Sequence, residues 1–139
     1  FIRLFKLDEL PQLLNIFKGE MRFIGPRPEV EEYIKNSDFT FLNQIKPGLT
    51  DFSSILLRNE PTILARAGGV EKYQELLKLK IKLAHLYSKH KAFHLDLALV
   101  CITIISILFP QFSKNLVINI FINRYSPNLN SEIKAWIIS

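Results

Sequence analysis

Gly25-Pro26-Arg27-Pro28 is the tightest constraint on how this 139-residue sequence can fold. Each proline lacks an amide donor and drives the residue before it towards extended geometry, so regular structure cannot run through the four. Arg27 is therefore predicted on a stiff, extended segment. On both sides of it the patterning is helical. From Asp8 to Lys18, apolar residues at Leu10, Leu13, Leu14 and Phe17 follow helical spacing. Pro11 is tolerated in the first turn, and Gly19 supplies a stop. Glu29 to Lys35 can form another helix. Lys46-Pro47-Gly48-Leu49-Thr50 reads as a turn leading into an extended Phe52 to Leu57 stretch, with Arg58 and Asn59 at its end.

Gly68-Gly69 breaks the chain before a longer helix predicted from Val70 to about Lys89, with Tyr73, Leu76, Leu77, Ile81, Ala84 and Leu86 over one broad face. The run Leu97 to Phe109 is apolar except for Thr103 and Ser106. As a helix it spans roughly 20 Å against a hydrocarbon core of about 30 Å, which is short for a membrane crossing. Pro110 ends it, and Leu116 to Ile122 adds a second apolar segment interrupted by Asn119 and Asn123. The expected fold is mainly α with short extended segments, in one compact domain, since 139 residues are too few for two ordinary cores. With 48% hydrophobic and 22% charged residues the chain is neither disordered nor a polytopic membrane protein. Cys101 has no partner for a disulfide and is predicted as a small buried hydrophobe. The chain opens on Phe1 and runs straight into a carboxylate pair, as expected of a fragment.

That pair, Asp8-Glu9, falls at a predicted helix start, where unpaired amides and the positive end of the dipole stabilise negative charge. First-turn acidic residues are common for that electrostatic reason alone. Kept ionised, however, such a carboxylate can also serve as a nucleophile or a metal ligand. Arg3, Arg27 and Arg58 supply three planar forks suited to phosphate oxygens. An aspartate attacking phosphorus needs its repulsion from the phosphate offset, and guanidinium groups with a divalent cation do this.

Leu7-Asp8-Glu9-Leu10-Pro11-Gln12-Leu13, Asn15, Lys18-Gly19-Glu20-Met21, Ile24-Gly25-Pro26-Arg27-Pro28, Lys46-Pro47-Gly48-Leu49-Thr50, Arg58-Asn59, Leu95-Asp96-Leu97 and Thr103-Ile104 follow one another in an order that resembles the bacterial sugar transferases, or monotopic phosphoglycosyl transferases. The resemblance covers about residues 3 to 105. It implies transfer of a sugar phosphate from a nucleotide-diphosphate sugar to polyprenyl phosphate, initiating surface glycan or exopolysaccharide synthesis. By that resemblance Asp8 is the nucleophile, forming an aspartyl-phosphosugar intermediate. Glu9 is its partner, binding Mg2+ with Asp8 or taking a proton from the lipid phosphate. Arg3, Arg27 and Arg58 bind donor phosphate. The implied setting is membrane lipid at the cytoplasmic face of the bacterial inner membrane. The expected organisation is an N-terminally truncated catalytic region over 1–110 and an apolar tail over 111–139 outside the resemblance. The family has an upstream membrane segment, so the alternative expectation is a truncated non-catalytic remnant that binds the membrane or a partner. Asp51-Phe52-Ser53-Ser54 departs from the family's usual Gly-Trp-Ala-Gln, which leaves the sugar open.

Other features have plainer readings. His85, His90 and His94 suggest a metal site, but His85 and His90 are five apart, off a shared helical face, with no acidic cluster beside them, so a histidine metal site is not expected. Lys78, Lys80, Lys82, Lys89 and Lys91 form either a solvated helix surface or a patch for anionic headgroups. Asp96 reads as a helix cap, and Ile118 to Ile122 with Trp136 as lipid contacts. Despite a net charge of +5, no recognisable nucleic-acid motif accompanies the basic residues, so nucleic acid is not an expected partner.

Overall fold

A computed structural model describes residues 10–27 and 45–138; Arg3, Asp8, Glu9 and the predicted 29–35 helix lie outside them. Helix α1, Leu10–Phe17, follows the predicted spacing. It stops at Gly19, whose φ of 75° is the left-handed conformation that glycine adopts without a Cβ penalty. Strand β1, Arg22–Ile24, then pairs in parallel with β2, Gly48–Thr50, in the register Arg22 to Gly48 and Ile24 to Thr50. Pro26, two residues after the end of β1, keeps the strand from continuing.

The segment predicted as extended after β2 is a helix. Asp51 is its N-cap: Oδ1 accepts from the Ser54 amide at 2.8 Å and the Ser54 hydroxyl at 2.6 Å, while Oδ2 accepts from the Ser53 hydroxyl at 2.6 Å. These bonds satisfy an orphan amide and fix the start of α2, Phe52–Leu56. Short as it is, α2 is the hub, packing against β2 and three of the longer helices that follow. Phe52, Ser53, Ile55 and Leu56 are all buried. The ring of Phe52 meets Tyr87 edge-on at 6.4 Å and Phe121 at 5.7 Å.

Helix α3, Glu60–Ala67, ends at Gly68, and Gly68 and Gly69 both have positive φ, as the predicted break requires. One 3-10 turn, Gly69–Lys72, leads into α4, Tyr73–His90. Lys80 and Lys82 on α4 are not free for headgroups: they pair with Glu60 and Glu132, each at 2.7 Å. Helix α5, Phe93–Leu108, starts four residues before the apolar run because Phe93, His94 and Asp96 sit comfortably in its first turn. The helix stops at Leu108, before Pro110 as predicted, and Pro110 itself opens the first turn of α6, Pro110–Val117. The coil continues through one π turn, Ile118–Ile122, and a last turn, α7, Asn123–Tyr125, before α8, Pro127–Ile138.

The core runs through all of these elements, with Ile24, Leu56, Leu76, Leu83, Leu99, Val117, Ile122 and Ile133 among its members. Ile118, Phe121 and Ile122 are therefore core residues and not lipid contacts, because the π turn rotates them inward against α2. The molecule is mainly α, as expected, with one two-stranded sheet among the described residues.

Candidate functional site

Two glycines hold the strand pair at backbone contact. A Cβ on Gly48 would overlap the backbone of Gly25, and one on Gly25 would meet Lys46 O at 2.8 Å and Gly48 N at 3.0 Å. The bend after β1 folds onto β2 through Gly25 N to Thr50 O at 3.1 Å and Gly48 N to Pro26 O at 3.0 Å. Gly25-Pro26-Arg27 and Lys46-Pro47-Gly48-Leu49-Thr50 are thus halves of one junction, with Arg27 exposed at its edge.

Helix α5 backs this junction. Thr103 gives its single hydroxyl proton to Leu99 O at 2.7 Å, so the 2.7 Å contact with the Thr50 hydroxyl is donated by Thr50. One turn further, Ser106 donates to Thr103 O, and its own carbonyl accepts from Nη1 of Arg58. Arg58 is half-buried and caps the C-terminal end of α5, where carbonyls lack intrahelical partners.

Beside the junction lies an open cleft of about 390 Å³ between α1, β1, the end of α4 and the start of α5. Its walls are mainly apolar, from Ile16, Phe23, Phe93 and Val100, and its charged groups are Arg22, Lys91 and Asp96. Asp96 is not a helix cap: Ala92 holds that position, and Oδ1 of Asp96 accepts a 2.6 Å hydrogen bond from the Tyr87 hydroxyl. Burial first, then the bond and charge of Asp96, push the Tyr87 hydroxyl well above its ordinary range, against a smaller opposing pull from Arg22. Tyr87 thus stays a proton donor and aims the carboxylate. Arg22 and Tyr87 carry no signal of their own in the sequence, and Lys91 was read there only as one of a run of lysines; the cleft between β1, α4 and α5 brings the three together.

Of the predicted site residues, the structure places Arg27 at the junction edge and Arg58 against α5, and it does not bond them to one another. Asp8, Glu9 and Arg3 lie outside the described residues, as the residues immediately before α1 and the chain start. Among the described residues no group of three His, Cys, Asp or Glu could hold a metal, and His90 instead stacks on Tyr125 at 4.2 Å. Cys101 is exposed, contrary to expectation, because it falls on the outward face of α5. That face is apolar: Phe93, Leu97, Ile104 and Leu108 recur at helical spacing and are all exposed. No helix among the described residues is long and apolar enough to cross a membrane.

A family model described as bacterial sugar transferase matches residues 1–110. The chain belongs to that family. It is 34% identical over 109 residues to the uncharacterized sugar transferase EpsL of Bacillus subtilis, covering 77% of this chain and 47% of that protein. It is 42% identical over 74 residues to the exopolysaccharide production protein ExoY of Rhizobium meliloti, 52% of this chain and 33% of that one. A third relative, undecaprenyl-phosphate galactose phosphotransferase of Salmonella typhimurium, is 44% identical over 64 residues, 43% of this chain and 13% of that protein. This sugar transferase chain therefore spans less than half the length of these relatives. No solved structure matches it.

Proposed function

We propose that this chain carries the catalytic part of a sugar-phosphate transferase acting between a nucleotide-diphosphate sugar and polyprenyl phosphate, at the cytoplasmic face of the bacterial inner membrane. The observation that carries this reading is the amphipathic cleft beside the junction of two family motifs. There Arg22 and Lys91 stand over walls of Phe23, Phe93 and Val100. A phosphate joined to an apolar group needs both kinds of surface within one site. The exposed apolar face of α5 suits contact with the lipid that delivers such an acceptor.

In this scheme a carboxylate oxygen of Asp8 attacks the sugar-bearing phosphorus. The bond from that phosphorus to the bridging oxygen breaks, and a nucleoside monophosphate leaves. A phosphate oxygen of the lipid then attacks the same phosphorus and expels the Asp8 carboxylate, giving a polyprenyl diphosphate sugar. Arg27, stiffened between Pro26 and Pro28, holds phosphate oxygens with a planar fork, and Arg3 and Arg58 add to the same charge balance. Asp8 and Glu9 form an all-oxygen donor set, the chemistry that Mg2+ accepts. When bound, Mg2+ neutralises charge on the diphosphate.

The test is intact-protein mass spectrometry of the chain with Mg2+ and a panel of nucleotide sugars. A gain of one sugar phosphate, absent in Asp8→Asn, is the expected result. A folded chain that gains no mass with any donor is the result expected of a non-catalytic remnant, and it would overturn this reading.

A further inference from the structure

Asp96 is the one acid among the described residues that line the cleft, and a bound phosphate does not account for it. Arg22 and Lys91 suit an anion there, whereas a carboxylate repels one. Nor do the two cations simply neutralise it. Among the described residues no ion pair joins Asp96 to Arg22 or Lys91. Oδ1 accepts from the Tyr87 hydroxyl at 2.6 Å, and Oδ2 accepts no hydrogen bond among the described residues. Tyr87 is buried and has one proton to give, so the bond fixes how the carboxylate sits at the cleft. The first turn of α5 tolerates the charge through its dipole, but it does not call for a buried hydroxyl from α4 to hold it.

An acceptor oxygen beside two cations matches a ligand that carries hydroxyl donors close to its phosphate. Of the two phosphates in the transferase reading, the nucleotide's has such hydroxyls and the polyprenyl one has none. A carboxylate accepting from ribose hydroxyls is the pairing that dinucleotide-binding folds use. The other walls fit the rest of a nucleotide. Phe23 and Phe93 are exposed rings at the cleft, on which a base can stack, and Arg22 and Lys91 can meet diphosphate oxygens. The cleft volume of about 390 Å³ lies within the range of small-molecule sites, about 300 to 1,000 Å³. We infer that the cleft is a nucleoside subsite in which Asp96, positioned by Tyr87, selects a ribose by its hydroxyls. This rests on the transferase reading and deepens it, by assigning the cleft to the donor.

Equilibrium binding to the whole chain tests this with the diphosphates of uridine, cytidine, adenosine and guanosine, the 2′,3′-dideoxy form of the tightest, and geranyl phosphate in detergent micelles for the acceptor. The parent is expected to bind the ribose form about tenfold more tightly than the dideoxy form, through hydrogen bonds to a charged acceptor. Asp96→Asn keeps the shape of the side chain and an oxygen for Tyr87, and should reduce that preference to about threefold or less. Tyr87→Phe should lower the preference too, with the dideoxy form bound as by the parent. Loss of folded protein weakens both forms together, so their ratio reports recognition alone. Asp96→Ala repeats the comparison should the asparagine variant melt early. The subsite is overturned if the parent binds none of the diphosphates, if it binds ribose and dideoxy forms alike, or if the preference survives in Asp96→Asn. Weakening of geranyl phosphate in its place would give the cleft to the acceptor and overturn the assignment as well. An unchanged preference in Tyr87→Phe would remove the positioning role of Tyr87. A parent whose preference depends on Asp96 yet gains no sugar phosphate leaves the subsite standing and removes the transferase reading. A parent that gains the mass while its preference ignores Asp96 removes the subsite alone.

Discussion

Gly48→Ala should be the most damaging single methyl group that can be added to this chain. The new Cβ would overlap three backbone atoms of Gly25, and backbone cannot rotate away as a side chain can. The strands must part. That breaks Gly48 N to Pro26 O and Gly25 N to Thr50 O, two hydrogen bonds worth about 1 kcal/mol each. Overpacking adds about 1 to 3 kcal/mol, so the total is about 3 to 5 kcal/mol, a large share of what a small domain has. Gly25→Ala should cost less, because its Cβ meets Lys46 O at 2.8 Å and Gly48 N at 3.0 Å, distances that a smaller shift relieves. Urea unfolding followed by far-ultraviolet ellipticity measures both. A loss below about 1 kcal/mol for Gly48→Ala at unchanged m, or a larger loss for Gly25→Ala, would refute the account of the junction. Because Arg27 leaves from this junction, sugar-phosphate adduct formation should fall further than the folded fraction does.

Asp51→Ala strips three donors of a buried acceptor and removes the cap of α2, and should cost about 2 to 3 kcal/mol in urea unfolding. A cost under about 1 kcal/mol would mean that α2 is held by its apolar contacts alone. Tyr87 favours its neutral form in the fold, so its contribution is complete below the ordinary value of 10.0 and is lost as pH rises above it. Unfolding midpoints at pH 9 and pH 11 should therefore drop more steeply for the parent than for Tyr87→Phe, and equal drops would count against the buried Tyr87–Asp96 bond. Arg27→Lys trades a planar fork for a point charge, so the donor KM should rise about tenfold with kcat little changed. A fall in kcat at constant KM would instead assign Arg27 to the transition state.

What could be read from the sequence was what repeats or what proline forbids. The periodicity of α1 and α4, the stop at Gly19, the break at Gly68-Gly69 and the interruption at Pro26 all stand in the structure. Helix α2 was illegible as a helix because five residues are too few to show a period, and Phe52-Ser53-Ser54-Ile55-Leu56-Leu57 alternates poorly in either register. Its one local signal was Asp51 three residues before Ser54, a capping arrangement easily taken for a turn. Helix α5 failed in the opposite way. Its run is apolar on every side, so no pattern distinguishes buried Leu99 and Ile102 from exposed Leu97 and Ile104, and Cys101 was placed on the wrong face.

The carboxylate pair and the three arginines are assigned through motif order, a signal that spacing alone does not contain, and Arg3, Asp8 and Glu9 lie outside the described residues. The polar contacts around the cleft and the junction were missed because each depends on a partner from another element: Tyr87 on Asp96 and Thr50 on Thr103. Val117, Ile122 and Ile133 have no exposed surface, and they share one core with Leu56 and Leu99. Residues past 110 therefore close the hydrophobic core beneath α2, and α2 in turn leads directly into Arg58. A segment with no family motif thus supports a residue that the family motif does contain, through packing that only the folded chain makes visible.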